Sequence, residues 1–215
     1  MTMKMTKKEA IAITGGLSNT SKMPCKSYGL PAAECVTGSK LRKKKGSVCS
    51  DCYACKGMYR FDAVQKAQYV RLGKIYDKNW VDAMVTLIGD AKYFRWHDSG
   101  DVQGPVHLQR IFSVCERTPK TKHWLPTREL GIVYAGTLTN LPTPDNLIIR
   151  ISSPMIDQPP IKAGKAANFY TCSVHTKFDK EKFGKECRAY TRDGHCGKCR
   201  ACWDKNVPNV SYPKH

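Results

Sequence analysis

Eleven cysteines give this chain its clearest chemical signal, because closely grouped thiolates are typical metal ligands. Five lie between residues 25 and 55, five lie between 172 and 202, and Cys115 stands alone between the two groups. Each group ends in a C-x-x-C-x-x-C motif, at residues 49–55 and 196–202. Two intervening residues let a tight turn direct successive sulfur atoms at one centre, so the sequence predicts a metal site in each group.

The spacing also suggests which thiols act together. The predicted ligands of the second site are Cys187, Cys196, Cys199 and Cys202; those of the first are Cys25, Cys35, Cys49 and Cys52, with Cys55 as an open alternative. A triplet with a remote fourth cysteine matches a ferredoxin-type [4Fe–4S] loop, whereas paired C-x-x-C units also suit tetrahedral zinc. We favour a cluster at the second site and leave cluster and zinc equally open at the first. Cys115 and Cys172 are expected to be inert thiols.

The surroundings of these cysteines are expected to be reducing. Residues 1–8 carry charge but no apolar segment or cleavage site of a secretory signal. No stretch approaches 18 consecutive apolar residues, which excludes a membrane-spanning helix and a membrane partner. Metal ligation is therefore favoured over disulfide bonding.

The densest polar cluster is His-Asp-Ser-Gly-Asp at residues 97–101. Two carboxylates three residues apart could act as acid, base or nucleophile on a bound substrate. The alternative is that they cap the next helix or pair with arginines. The candidate catalytic residues are Asp98, Asp101 and Arg128, and the candidate substrate-binding residues are Arg95, His97, Ser99, Arg150 and Ser152.

Three apolar segments, at residues 92–97, 122–125 and 146–151, are predicted strands that would position these side chains. Helical periodicity covers residues 59–90 and 106–117. The strand centres are about 25 to 29 residues apart, which is typical of β/α repeats, and loops after parallel strands open on one face. Too few repeats are visible for an eight-stranded barrel. We therefore predict an α/β fold, a partial β/α-barrel-like parallel sheet with cysteine-rich metal-binding terminal segments.

The predicted organisation is one compact domain in three parts. Residues 1–58 form a basic, cysteine-rich metal-binding segment, residues 59–171 form the β/α core, and residues 172–215 form the second cysteine-rich segment. The chain has 36 Lys and Arg against 18 Asp and Glu, a net charge of +18. Five cations lie within six residues: Lys40, Arg42, Lys43, Lys44 and Lys45. This pattern predicts binding to nucleic acid, DNA rather than RNA, although a basic surface without a partner is the alternative.

Several motifs together resemble the gene-product-88 family of phage-encoded proteins. They are residues 27–32 (Ser-Tyr-Gly-Leu-Pro-Ala), Cys35, residues 46–49, 52–54, 56–59 and 95–101, and the tail 196–203 with 210–212 and His215. The likeness covers roughly residues 17 to 215. It implies a phage origin and the cytoplasm of an infected bacterial host, but no established reaction. The family motif C-x-x-C-Y-A-x-K-G makes Cys55 a departure, which favours Cys25, Cys35, Cys49 and Cys52 as the first ligand set.

A shorter likeness concerns residues 98–103, Asp-Ser-Gly-Asp-Val-Gln. The segment is similar to D-S-G-G-F-Q of tRNA-guanine transglycosylases, with Asp101 replacing Gly and Val102 replacing Phe. This likeness implies that Asp98 is the carboxylate of a base-exchange site. The C-x-x-x-C-x-x-C motif of radical-SAM enzymes is absent, which disfavours that chemistry although the β/α architecture is similar.

The leading hypothesis is an iron–sulfur protein of phage origin, with one or two [4Fe–4S] clusters, that binds nucleic acid and modifies it by base-exchange or glycosylase chemistry. One alternative is a non-enzymatic module, stapled by iron–sulfur or zinc, that binds nucleic acid or a host protein. A second alternative is a cluster-dependent redox enzyme. The sequence leaves the substrate and the oligomeric state open.

Overall fold

A parallel, open β-sheet organises the chain. The computed structural model describes residues 5–137, 142–161 and 170–214. Seven strands lie within these ranges: β1 (Ser27–Tyr28), β2 (Tyr93–Trp96), β3 (Lys122–Thr127), β4 (Leu147–Ser152), β5 (Tyr170–His175), β6 (Lys185–Glu186) and β7 (Asn209–Pro213). Their order is β1-β2-β3-β4-β5-β7-β6, and all neighbouring strands are parallel.

The first five strands follow one another in chain order, as they do in a β/α barrel. The sheet does not close, because β1 and β6 are its two edges. The predicted α/β class and parallel sheet are therefore confirmed. The strands predicted around residues 92–97, 122–125 and 146–151 are β2, β3 and β4.

Helices connect and cover the strands. They are α1 (Lys7–Thr14), α2 (Val36–Arg42), α3 (Asp62–Lys74), α4 (Trp80–Ile88), α5 (Pro105–Arg117), α6 (Leu130–Thr137) and α7 (Lys180–Phe183). The helix predicted over residues 59–90 is two helices, because the chain turns between them: Asp77 accepts hydrogen bonds from the backbone N–H groups of Asn79 and Trp80. Within the described residues, no helix has the length and apolar character needed to cross a membrane.

The apolar core lies between the helices α4 and α5 and the sheet. All six residues of β4 are buried, as expected for a strand with neighbours on both sides and covered faces. Trp80 from α4 and Trp96 from β2 are completely buried and lie 6.1 Å apart between ring centroids. This packing fixes the end of β2, from which the polar segment 97–101 continues.

Arg150 is a structural residue at the centre of the sheet, and its predicted role in substrate binding is therefore corrected. It is completely buried in β4. Its guanidinium donates hydrogen bonds of 2.9–3.3 Å to six backbone carbonyls, those of Thr171, Ala201, Cys202, Asp204, Val207 and Pro208. All three of its side-chain nitrogens are therefore occupied in attaching the C-terminal segment to the sheet.

We expect Arg150→Met to lower the free energy of unfolding by about 3 kcal/mol or more, since it leaves buried carbonyls without donors. Urea unfolding followed by circular dichroism measures the loss. The matched control is Arg117→Met, which removes an exposed ion pair with Asp82 and should cost about 1 kcal/mol or less. Equal losses in the two variants would contradict the structural role of Arg150.

Candidate functional site

A cavity of about 1170 Å³ lies at the carboxyl ends of the parallel strands. The strand ends supply Arg95, residues 97–101, Thr127, Arg128, Ser152, Ser153, Cys172 and Tyr212 to its wall. The N- and C-terminal cysteine-rich segments and one side of α3 supply most of the remaining wall. Parallel α/β folds place their binding sites at this edge of the sheet.

The predicted site residues largely meet at this cavity. Seven of the eight line it: Arg95, His97, Asp98, Ser99, Asp101, Arg128 and Ser152. The eighth, Arg150, is not part of its wall. In the basic segment, Lys40, Lys43, Lys44 and Lys45 are exposed, whereas Arg42 lines the cavity and donates a hydrogen bond to the carbonyl of Ala32.

Asp98 is a buried carboxylate held by hydroxyl groups. The Oγ of Ser27 donates to its Oδ1 at 2.6 Å, and the hydroxyl of Tyr59 donates to its Oδ2 at 3.1 Å. Among the described residues, no Lys or Arg nitrogen lies within 4 Å of this carboxylate. A Cβ on Gly29 would lie 2.6 Å from Oδ1, so glycine is needed there. Asp98 therefore lies in a fixed position beside the cavity, as a general acid or base requires.

Asp101 has a different environment. Its carboxylate accepts hydrogen bonds from the backbone N–H groups of Val102 and Arg128 and from the hydroxyl of Thr127. Burial raises the pKa of Asp101 to about 6, although these hydrogen bonds act in the opposite direction. Because three donors occupy its oxygens, Asp101 serves chiefly to fix the end of β3 and to position Arg128.

Two arginines bring positive charge to the cavity, and neither has a carboxylate within 4 Å of its guanidinium among the described residues. The guanidinium of Arg95 lies 4.6 Å from the ring centroid of Trp124, and one of its nitrogens donates to the hydroxyl of Tyr53. The Nε atoms of Arg95 and Arg128 are buried and have no hydrogen-bond partner among the described residues. Neither guanidinium forms an ion pair within the described chain. Such groups are well suited to bind an anion that enters the cavity.

His97 begins the polar segment in a strained conformation. Its φ angle is +54°, a value that residues other than glycine seldom adopt. Its Nδ1 lies 3.2 Å from the carbonyl of Tyr28, to which it donates, and its Nε2 is buried without a partner. Burial lowers the pKa of His97 to about 4, so the imidazole is neutral near pH 7.

Three thiols of the first cysteine group, Cys35, Cys49 and Cys52, line the large cavity. Burial raises the pKa of Cys35, and the neighbouring charges of Asp101, Cys52 and Cys49 raise it further. The Cys55 side chain hydrogen-bonds with that of Cys52 but is not part of the cavity wall. The three cavity-lining thiols are therefore neighbours in space.

The second cysteine group surrounds a separate cavity of about 30 Å³. Cys187, Cys196, Cys199 and Cys202, the four predicted ligands of the second site, all line it. Each of the eleven cysteines, all within the described residues, is a free thiol. No group of three or more Cys, His, Asp or Glu side chains in residues 5–137, 142–161 and 170–214 has the arrangement of a metal-ion site. Metal binding by either group remains a prediction.

Cys25 lies with the second group, which differs from the predicted first ligand set. Burial raises its pKa to about 12, and the charges that act on it come from Arg95, Cys196 and Arg200. The cause is a long-range contact: the N–H of Cys196 donates to the carbonyl of Lys22, three residues before Cys25. Cys25 therefore does not line the cavity wall with Cys35, Cys49 and Cys52, the other predicted ligands of the first site.

Several residues that build the site are not among those predicted from the sequence. Ser27 and Tyr59 hold Asp98, Tyr53 contacts Arg95, and Glu129 accepts two hydrogen bonds from Thr37 at the start of α2. Ser27, Tyr53 and Tyr59 lie within the motifs that carry the family resemblance, which is the signal that could have identified them. Glu129 has no comparable signal.

We expect His97→Asn to weaken the pH dependence of stability between about pH 4 and 6.5. In this window the unfolded state binds a proton at His97 and the native state does not. The contribution of His97 to the free energy of unfolding of the wild type therefore rises by about 3 kcal/mol as the pH increases. Asparagine tolerates the positive φ angle and can donate to Tyr28. Urea unfolding at pH 4 and 7 measures the change, with exposed His195→Asn as the control. An unchanged pH slope in His97→Asn would contradict the expectation.

Comparison with known proteins places this architecture in a family. The model of the family described as gene product 88 matches residues 2–205. No curated protein and no solved structure matched the chain. Since the family model covers nearly the whole chain, the protein belongs to the gene product 88 family.

Proposed function

We propose that the protein is a phage-encoded, iron–sulfur-containing enzyme that binds nucleic acid and modifies a nucleotide in the large cavity, in the cytoplasm of the bacterial host. One observation carries the proposal. The cavity at the strand ends combines a fixed carboxylate, two guanidinium groups that form no ion pair with the described residues, and thiols of both cysteine groups. A protein whose metal-bound cysteines only stabilise the fold has no need for these catalytic and anion-binding groups in the wall of an open cavity.

The chemistry of the wall favours a phosphate-bearing substrate. Arg95 and Arg128 offer buried N–H donors, which suit the oxygens of a phosphate. Asp98 lies on the same wall, where it can move a proton at the base or sugar of the bound nucleotide. A volume of about 1170 Å³ exceeds that of a typical small-molecule pocket and admits a nucleotide turned out of its stack.

The basic segment, residues 40–45, is adjacent in the sequence to residues that line the cavity. Gly38 and Arg42 of α2 line the cavity, and the exposed Lys43, Lys44 and Lys45 follow directly. A nucleic acid whose phosphates contact these lysines would therefore lie close to the cavity. The net charge of +18 favours such an encounter at long range.

The metal part of the proposal rests on the donor set. The four thiols around the small C-terminal cavity suit a [4Fe–4S] cluster or, alternatively, zinc. A cluster there supplies either structural cross-linking or electron transfer. Iron, sulfide and zinc analysis of anaerobically purified protein distinguishes the metals.

We expect the triple variant Lys43→Gln, Lys44→Gln, Lys45→Gln to bind DNA at least about tenfold more weakly at low salt, because three phosphate contacts are lost. The slope of log affinity against log salt should fall by about 2 to 3. Fluorescence anisotropy measures both quantities. The control removes three exposed lysines outside the basic segment 40–45, namely Lys7, Lys8 and Lys120. Salt-independent binding by the wild type, or equal effects in the two triple variants, would contradict the proposed interface.

We expect Asp98→Asn to abolish modification, by at least about 100-fold, and to leave nucleic-acid affinity unchanged, because it removes the proton-transfer group but keeps the shape of the site. Mass spectrometry of nucleosides from DNA and RNA of bacteria that express each variant detects the product. The control is Asp90→Asn at an exposed position. A modification that persists in Asp98→Asn would overturn the assignment of Asp98.

A further inference from the structure

We propose that Cys35, Cys49 and Cys52 hold a [4Fe–4S] cluster through three thiolates, and that its fourth iron opens into the cavity and binds a ligand with adjacent amino and carboxylate groups, of the S-adenosylmethionine type. This inference deepens the proposed function and rests on its iron–sulfur part. It assigns to the first cysteine group a role different from that of the second. Cys35, Cys49 and Cys52 of the first group line only the large cavity, whereas Cys187, Cys196 and Cys202 of the second group line both cavities.

The three thiols line the same cavity, and the sulfur atoms of Cys35 and Cys49 lie close to each other there. A Cβ added at Gly38 would lie 3.6 Å from the sulfur of Cys35 and 3.7 Å from that of Cys49, so both sulfurs border the same point. The same Cβ would lie 2.8 Å from the Cβ of Cys35, a contact that real side chains do not make. Gly38 lines the cavity and thereby leaves open the space between these thiols.

Neither remaining cysteine of the N-terminal segment is placed as a fourth ligand from the cavity side. Cys25 lies in the electrostatic environment of Cys196 and Arg200. Cys55 contacts Cys52 but does not line the cavity. A three-thiolate set leaves one coordination position free, as catalytic metal sites do when they bind substrate.

The position of these thiols in the fold suits a cofactor site. Cys35 follows β1 in the loop at the carboxyl end of that strand. The loop is joined to the polar segment after β2, because the N–H of Leu30 donates to the carbonyl of Ser99 at 2.8 Å. The chain lacks the C-x-x-x-C-x-x-C motif of radical-SAM enzymes, and the cysteine spacing in the sequence therefore disfavours radical-SAM chemistry. Folding nevertheless brings Cys35 beside Cys49, although 13 residues separate them in the sequence.

The surroundings of the thiols match the proposed ligand. Burial raises the pKa of Cys49, and the positive charge of Arg128 acts in the opposite direction, so this guanidinium lies within electrostatic reach of the sulfur. Its unpartnered Nε can receive the carboxylate of the ligand. The buried Oγ of Ser99, also without a partner among the described residues, lines the same cavity. The rings of Tyr53 and Tyr59, 5.7 Å apart, offer an aromatic surface for a nucleoside.

The experiment isolates the first cluster. Cys196→Ser with Cys199→Ser removes the second site, and the protein is reconstituted anaerobically with iron and sulfide and reduced with dithionite. Electron paramagnetic resonance is then recorded while S-adenosylmethionine is added. We expect a saturable change in the cluster spectrum. The control ligand is 5′-methylthioadenosine, which lacks the amino and carboxylate groups and should leave the spectrum unchanged.

Variants in this background test the ligand set. Cys35→Ser should lose the signal, whereas Cys25→Ser and Cys55→Ser should keep both the signal and its response. If the background variant does not fold, the same titration on the wild type should shift about half of the reduced-cluster signal, since two clusters contribute.

Three results would overturn the inference. A cluster that forms but does not respond to S-adenosylmethionine has no iron open to a ligand. This result would overturn the inference and leave the iron–sulfur part of the proposed function intact. Loss of the signal in Cys25→Ser or Cys55→Ser would mean four thiolates and a closed site. Absence of iron from the wild-type protein would overturn both this inference and the iron–sulfur part of the proposed function.

Discussion

The buried guanidinium of Arg150 is the interaction on which the architecture of the site depends. It connects the central strand β4 to six carbonyls, four of which belong to residues 201–207. This attachment places Trp203 on the sheet, where its Nε1 donates to the carbonyl of Phe94 and its ring packs against Trp124. Cys202, next to Trp203, lines both cavities. Without Arg150, six backbone carbonyls, most of them in the wall that carries the second cysteine group, would lose a hydrogen-bond donor, and a buried carbonyl needs one.

The sequence was sufficient to predict three of the seven described strands, β2, β3 and β4, and to predict that polar residues at their ends share one edge of the sheet. Apolar segments spaced at the interval of β/α repeats specify parallel strands, and parallel strands carry their terminal residues to one edge. Asp98, Arg128 and Ser152 therefore meet at the cavity although they are distant in the chain. The division of residues 59–90 into two helices depends on a short turn at Asp77, a local signal weaker than the surrounding periodicity.

The sequence could not distinguish residues that look alike but lie in different environments. Arg95 and Arg150 are both charged residues inside apolar strands, yet Arg95 faces the cavity and Arg150 faces the C-terminal segment. The difference arises from residues 201–208, the segment that leads into β7, because five of the six carbonyls that Arg150 contacts belong to it. Cys25 is a similar case. Its spacing suits the first cysteine group, but the contact of Lys22 with Cys196 carries it to the second.

The charge of the cavity connects the two parts of the proposed chemistry. Arg95 and Arg128 bring positive charge to a wall where no carboxylate of the described residues lies within 4 Å of either guanidinium, and burying a charge without a direct ion pair is costly. Burial also raises the pKa of Cys35 and Cys49, so these thiols are protonated until a metal displaces the protons. Metal-bound thiolates would supply negative charge beside Arg128, and a substrate phosphate would supply it beside Arg95. Cluster binding and substrate binding would then relieve the same electrostatic cost, each on its own part of the wall.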